Sequence, residues 1–178
     1  MFQNPEIDVA ALPSTAAVEW QPLDRNYLRQ RLVAAVLGVA GNVALLAFLH
    51  VVLTYAFRDE GVELRLGWIW LFVPAIGIPM LIWPLLSYPR MGYSVRDRDI
   101  LYKSGVLFRS VTAIPYNRIQ HVEKDSTPLD RRFRLANLKI FTAGGTGGDL
   151  KISGLAADTA ERLRGFILDK AGAVVERH

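Results

Sequence analysis

Two long apolar runs limit what this chain can become more than any other feature. Residues Leu32–Phe57 (LVAAVLGVAGNVALLAFLHVVLTYAF) hold 26 positions without a formal charge, and Leu66–Tyr88 (LGWIWLFVPAIGIPMLIWPLLSY) hold 23. At the helical rise they reach roughly 39 and 35 Å, beyond the roughly 30 Å of bilayer hydrocarbon. Only Arg58 to Arg65 lie between them. So short a link makes the runs antiparallel, a transmembrane helical hairpin. Two core helices of a soluble domain would be shorter and would show a charged face.

The hairpin sets the domain plan. Residues 1–22 form a tail with Pro5, Pro13 and Pro22 and no sustained period, expected to be disordered. The tail is acidic and the run behind it is long and followed by another, unlike a cleaved secretory signal. Residues 23–88 form the hairpin, with spans at about 32–57 and 66–88. Residues 89–172 are left for one compact domain, and 173–178 for a C-terminal tail. Asp24 is placed to cap a helix that starts near Arg25 and runs unbroken into the membrane. Trp20 and Tyr27 fall at the headgroup level, as do Trp68, Trp70, Trp83 and Tyr88 on the second span.

Charge sets the orientation. Arg25, Arg29 and Arg31 flank the first span on the tail side, and Arg90, Arg96, Arg98 and Lys103 follow the second. The link offers only Arg58 and Arg65. The positive-inside rule then puts both termini in the cytoplasm. The chain's net charge is +4, but the part after Tyr88 carries sixteen basic against ten acidic residues. A basic domain held at a bilayer is suited to anionic headgroups, at about 1 kcal/mol for each nearby cation. Equally, that excess can serve topology and solubility alone.

Within the first span, Ala34, Gly38 and Asn42 recur every four residues, a helix-packing face that lets another backbone approach. Its partner is either the second span or another copy of the chain. Asn42 lies near the midplane, where a polar group needs a partner, and His50 lies near the outer headgroups. Pro74, Pro79 and Pro84 predict a kinked second span.

After Met91 the pattern becomes that of strands. Tyr93–Val95 and Ile100–Tyr102 flank a turn at Arg96–Asp99. Ser104-Gly105 turns into Val106-Leu107-Phe108, and Val111–Ile114 and Ile119–Val122 follow. Thr127-Pro128-Leu129 starts a short helix that leads into a basic turn through Arg134. Leu138–Thr142 and Leu150–Ile152 flank a Gly144–Gly148 hairpin loop. Leu155, Ala160, Leu163, Phe166 and Ile167 give a terminal helical stripe.

The order Tyr93…Ile100-Leu101…Gly105…Ile114-Pro115…Arg118-Ile119-Gln120-His121-Val122 resembles the type 2 bacterial pleckstrin-homology-like domain. So does its continuation Pro128-Leu129…Phe133…Leu135-Ala136…Leu138-Lys139-Ile140-Phe141-Thr142-Ala143-Gly144-Gly145. With two preceding spans and Trp20…Pro22-Leu23, about residues 20–170 are similar to the YdbS-like membrane proteins. The resemblance implies a membrane α-helical hairpin followed by an α+β PH-like domain. That domain would be a bent antiparallel barrel of about seven strands capped by the C-terminal helix. It further implies a bacterial inner-membrane, non-enzymatic module, often oligomeric, working beside a related PH-like membrane subunit.

The candidate chemistry is that of surfaces. In the eukaryotic PH fold, inositol phosphates bind a basic cluster on the first hairpin. Here Arg96-Asp97-Arg98-Asp99 gives each cation an acidic neighbour, which opposes such a cradle. Arg131, Arg132 and Arg134 form the better anionic membrane-surface candidate, since guanidinium groups bond phosphates at several angles. A solvated face or a contact with a neighbouring subunit would use the same residues.

No catalytic, metal or cofactor site is expected. The chain has no cysteine, no phosphate-loop ending and no carboxylate–histidine cluster, and His121 has no acid at a spacing that would orient its ring. Basic and acidic groups are intermixed, against nucleic-acid binding. The expected function is protein–protein assembly or membrane-surface contact in envelope maintenance or defence. An open barrel edge beside the terminal helix could take a peptide. The alternative, motivated by Asn42, His50 and the prolines, is a small subunit of a transport or channel assembly.

Overall fold

The computed structural model describes residues 18–57, 66–143 and 150–175. Of the expected disordered tail over residues 1–22, residues 1–17 lie outside these, whereas 18–22 are placed against the domain. The Arg58–Arg65 link, the Gly144–Gly148 loop and residues 176–178 of the expected C-terminal tail over 173–178 also lie outside. The first span is one helix, α1 (Arg25–Ala56), and the Asp24 carboxylate accepts from the Asn26 amide at 2.7 Å as its N-cap. The second begins as a 3-10 segment, Leu66–Leu71, and continues as α2 (Phe72–Ser87), ending in a 3-10 turn at Tyr88–Arg90. Pro74 lies in the first turn of α2, where no intrahelical donor is lost, whereas Pro79 and Pro84 are interior. Only 6% of the most apolar window of α1, and 17% of that of Gly67–Arg90, is buried. Leu37, Leu45, Phe48, Leu71 and Ile78 face outward. Core helices of a soluble domain would hide such side chains; a bilayer solvates them.

The chain then forms β1 (Gly92–Val95), β2 (Asp99–Ser104) and β3 (Ser110–Pro115), a three-stranded antiparallel sheet in that order. A 3-10 turn at Tyr116–Arg118 leads into the second sheet, β4 (Ile119–Asp125), β5 (Leu135–Thr142) and β6 (Leu150–Ala156). The short α3 (Pro128–Arg132) links β4 to β5, and α4 (Ala157–Val175) closes the domain. One core joins all of these. Ile100 and Ile114 from the first sheet meet Val122, Leu138, Ile140 and Ile152 from the second, with Ala160 and Ile167 of α4.

The described residues contain six strands. Val106-Leu107-Phe108, placed above among the strands after the Ser104-Gly105 turn, is instead the loop between β2 and β3. Gly105 is the cause: its φ of 109° turns the chain so sharply that a Cβ there would lie 1.7 Å from the Phe108 carbonyl oxygen. The terminal stripe also needs correcting. Leu155 belongs to β6, where it is buried, and Phe166 is 38% exposed; Ala160 and Ile167 carry the helix's packing.

Hairpin and domain are sewn together. Leu23, just before α1, is buried in the domain core. The Asp24 amide donates to the Gly154 carbonyl at 3.0 Å. Gln21 exchanges two backbone hydrogen bonds with Tyr93, at 2.8 and 3.0 Å, as an extra bridge on the β1 edge. The Tyr88 hydroxyl donates to the Leu23 carbonyl at 2.9 Å. Tyr27 does not stand free as an interfacial aromatic; its ring packs over Gly154, where a Cβ would come within 2.2 Å of it.

Candidate membrane-facing site

The basic turn is built on a buried carboxylate. Thr127 caps α3 by accepting from the Asp130 amide at 3.1 Å, and the Asp130 side chain accepts from the Thr127 amide at 2.8 Å, a reciprocal capping box. Asp130 is only 4% exposed. Asp130 Oδ1 accepts from Gln30 Nε2 of α1 at 2.6 Å, and Asn137 Nδ2 donates at 3.1 Å to Oδ2, the oxygen that also accepts from the Thr127 amide. Gln30 is two residues before the apolar run starts at Leu32. Through this one bond the foot of the membrane helix holds α3.

Arg131, Arg132 and Arg134 are all exposed. Among the described residues none of the three guanidinium groups has an ion pair or hydrogen bond. Arg134 holds φ 57°, left-handed backbone unusual for a side-chain-bearing residue. Several other cations are committed elsewhere. Arg96 donates to both oxygens of Asp99, at 2.7 and 2.6 Å, and Lys170 lies 3.7 Å from Asp97. Arg96, Asp97 and Asp99 of the first hairpin are therefore paired within the fold. Lys139 is 2.7 Å from Asp125, and Lys124 and Arg164 share Glu161 at 2.5 and 3.2 Å. The bonds from Lys139 and Asn137 hold the Asp125 carboxyl below its usual range, against the opposing effect of burial.

The helix-packing candidates divide. Gly38 meets α2 of the same chain: Met80 Cε occupies the space a Cβ would need. Ala34 lines a groove of about 450 Å³ between the helices with Arg31, Ala35, Pro79, Met80 and Pro84. Gly77 receives Val39 in return. Asn42 is half-buried, and among the described residues nothing hydrogen-bonds its amide. Towards the C-terminal end of α1, His50 Nδ1 is buried without a partner, its ring 6.2 Å from that of Trp70.

One reading of His121 is overturned. Glu123 Oε1 lies 3.4 Å from His121 Nε2, because alternate residues of a strand share a face. The pair is open to solvent, with the histidine side chain 62% exposed. The groove expected to take a peptide lies between Tyr93, Val95 and α4 residues Thr159, Arg162 and Phe166, about 260 Å³. Gln21 also lines it, so the chain's own entry segment occupies part of that edge.

Two apolar helices that expose their side chains, fused to a two-sheet domain with a terminal helix, define a membrane protein carrying a PH-like domain. The sequence bears this out: residues 64–171 match the bacterial PH domain family, and the chain belongs to it. It is 31% identical over 102 residues to the UPF0699 transmembrane protein YdbS of Bacillus subtilis (strain 168). That alignment covers 57% of this chain and 61% of the relative. No solved structure matches.

Proposed function

We propose that this chain is a non-enzymatic module of the bacterial inner membrane. Both termini face the cytoplasm, and the PH-like domain, a bent and partly open barrel, lies against the anionic inner leaflet. There it contacts lipid headgroups and assembles with copies of itself or a related PH-like subunit, in envelope maintenance or defence. The carrying observation is the Gln30–Asp130 bond, which ties the arginine turn to the foot of α1. Three guanidinium groups without internal partners, beside a span's entry point, suit phosphate oxygens. The left-handed backbone at Arg134 is a cost that a surface role for its side chain would justify.

The test is made on the full chain. Protein with Arg131, Arg132 and Arg134 all changed to Gln, in mixed phosphatidylglycerol and phosphatidylcholine nanodiscs, should retain several-fold less phosphatidylglycerol in its bound lipid than the parent. At about 1 kcal/mol per cation the effect is large enough to resolve. An unchanged lipid profile at low salt refutes the surface reading. Crosslinking in native membranes tests the assembly reading, and a strictly monomeric protein with no envelope neighbour refutes that.

A second reading, a small transport or channel subunit, draws on the unpartnered His50 Nδ1 and on Asn42. Polar groups within a bilayer need partners, which further subunits or a permeating species would supply. Reconstituted protein that passes no ion or solute, together with an Asn42→Leu variant that behaves like the parent, disposes of it.

A further inference from the structure

The loop Gly105–Arg109 between β2 and β3 presents Phe108 at 90% exposure and Leu107 at 78%. No other described residue outside the two spans shows so much large apolar surface. This is a built turn. Gly105 adopts φ 109° with its backbone against Phe108, and the Ser104 and Ser110 hydroxyls meet at 3.3 Å across its neck. A tight turn that folds two large apolar side chains outward gives up their burial, and water is a poor medium for them.

The register says where that turn points. The chain leaves α2, passes Met91, whose sulfur accepts from Arg31 Nη1 at 3.9 Å, and enters β1 at Gly92. Arg31 immediately precedes the first apolar run, so β1 starts beside the membrane boundary and runs away from it. β2 returns antiparallel, with Lys103 opposite Gly92 and Tyr102 opposite Tyr93. Tyr102 packs in the same cluster as Tyr27, Tyr88 and Met91, the residues at the feet of the two helices. Ser104 extends a further step of about 3.4 Å, and the loop continues in that direction. The loop therefore projects towards the bilayer from a strand already at the boundary. The hairpin at Arg96–Asp99, at the other end of the same strands, points the opposite way.

Charge agrees with that direction. Ile100 to Val122 contains no acidic residue, and Lys103 and Arg109 flank the apolar tip. Lys103 Nζ sits 4.6 Å over the Trp20 ring, which places an aromatic of the interfacial type at the neck of the loop. An apolar tip with cations behind it is the pattern of an element that dips about 5–10 Å into an anionic interface.

We propose that Leu107 and Phe108 insert into the inner leaflet beside the helical hairpin, with Lys103 and Arg109 at the phosphate level. The loop is thus a third point of membrane contact, after the spans and the arginine turn. This rests on the reading of the chain as a membrane-anchored module. A second copy of the chain is the competing occupant of the same tip.

The chain has no cysteine, so Phe108→Cys supplies a unique attachment point for an environment-sensitive dye. The full protein is reconstituted in phosphatidylethanolamine and phosphatidylglycerol vesicles, with Leu45→Cys as the span control. Acyl-brominated lipid should lower emission from the labelled loop by about half, and aqueous iodide should have little effect. This should persist in nanodiscs holding one copy each. A loop dye quenched by iodide and indifferent to brominated lipid overturns the proposal while leaving the anchor intact, provided the Leu45 dye is quenched by lipid. A Leu45 dye that is not quenched overturns the anchor reading itself. Protection at position 108 that disappears at one copy per nanodisc assigns the tip to a neighbouring subunit and refutes insertion.

Discussion

Replacing Asp130 with alanine should loosen α3 from both the sheet and the membrane helix, and the structure allows the size of that effect to be worked out. The substitution removes the acceptor for the Thr127 amide, half of the capping box, worth about 1 kcal/mol. It strands Gln30 Nε2, on a residue 9% exposed, and deprives Asn137 Nδ2 of one of its two acceptors. Asn137 keeps Asp125 at 2.9 Å, so its loss is partial. A buried donor left without a partner costs about 1–3 kcal/mol. Because these bonds share one carboxylate they do not add, and about 3 kcal/mol in total is reasonable. That corresponds to roughly a hundredfold fall in amide protection, at about 1.4 kcal/mol per decade. Hydrogen exchange on the full chain in nanodiscs reads it directly at the Arg131 and Phe133 amides, which bond Thr127 and Leu129. Gln30→Leu breaks only the link to α1 and should cost about a third as much, because the capping box survives. If α3 protection is unchanged in Asp130→Ala, the carboxylate is not the joint described above. If Gln30→Leu costs as much as Asp130→Ala, the capping bonds contribute nothing.

Other substitutions probe the remaining joints. Gly154→Ala combines a φ of 77° with a clash on the Tyr27 ring, so it should destabilise the domain by about 2–4 kcal/mol in chemical denaturation, partly relieved by a simultaneous Tyr27→Ala. Arg134→Gly should gain up to about 1 kcal/mol in the same assay by relaxing the left-handed backbone, while reducing phosphatidylglycerol retention. Burial first, then the nearby Asp99 and Asp97, pushes the Tyr116 hydroxyl up to about 12. The folded state therefore keeps this proton where the unfolded chain loses it. Tyr116 thus contributes full stability below about pH 10, which is lost as pH rises towards 12; absorbance titration of the phenolates should show Tyr116 among the last to ionise. Asp125 behaves oppositely: its carboxyl is held low by Lys139, so its contribution is present above about pH 4 and lost as pH falls below that. Asp125→Asn should flatten the acid limb of the stability profile.

What could be read from the residues depended on how local each cause was. The spans were legible because a long uncharged run has few fates, and the cap at Asp24 because it bonds an amide two residues away; Thr127-Pro128-Leu129 was legible as a helix start. The Arg131–Arg134 turn was visible as composition, but the acid that holds it was not. Asp130 and Gln30 are separated by 100 positions, and no period or motif connects them. Val106–Phe108 misled because β-branched and aromatic content carries no information about the positive φ at Gly105, which turns the same residues into a loop. Glu123 was missed as a neighbour of His121 although the strand period of two predicts it. Gly154 gave no sign of Tyr27, because the close approach it permits comes from the other end of the sequence.

The entry segment explains why hairpin and domain act as one. Gln21, Leu23, Asp24, Tyr27 and Gln30 lie within ten residues and contact, in turn, the β1 edge, the core, β6 and α3. Arg31 then reaches the end of α2 through the Ser87 hydroxyl at 2.8 Å. A domain joined to its spans only through Pro89 could swing about that point. Here each swing would break a buried hydrogen bond or open the core at Leu23, at about 1 kcal/mol or more for each contact. A tilt of the hairpin must therefore tilt the whole domain. The arginine turn and the Phe108 loop are joined to that foot through different sheets, so both follow the same tilt. Fixed in this way, hairpin and domain move as one body, and the orientation of the two sheets follows that of the spans.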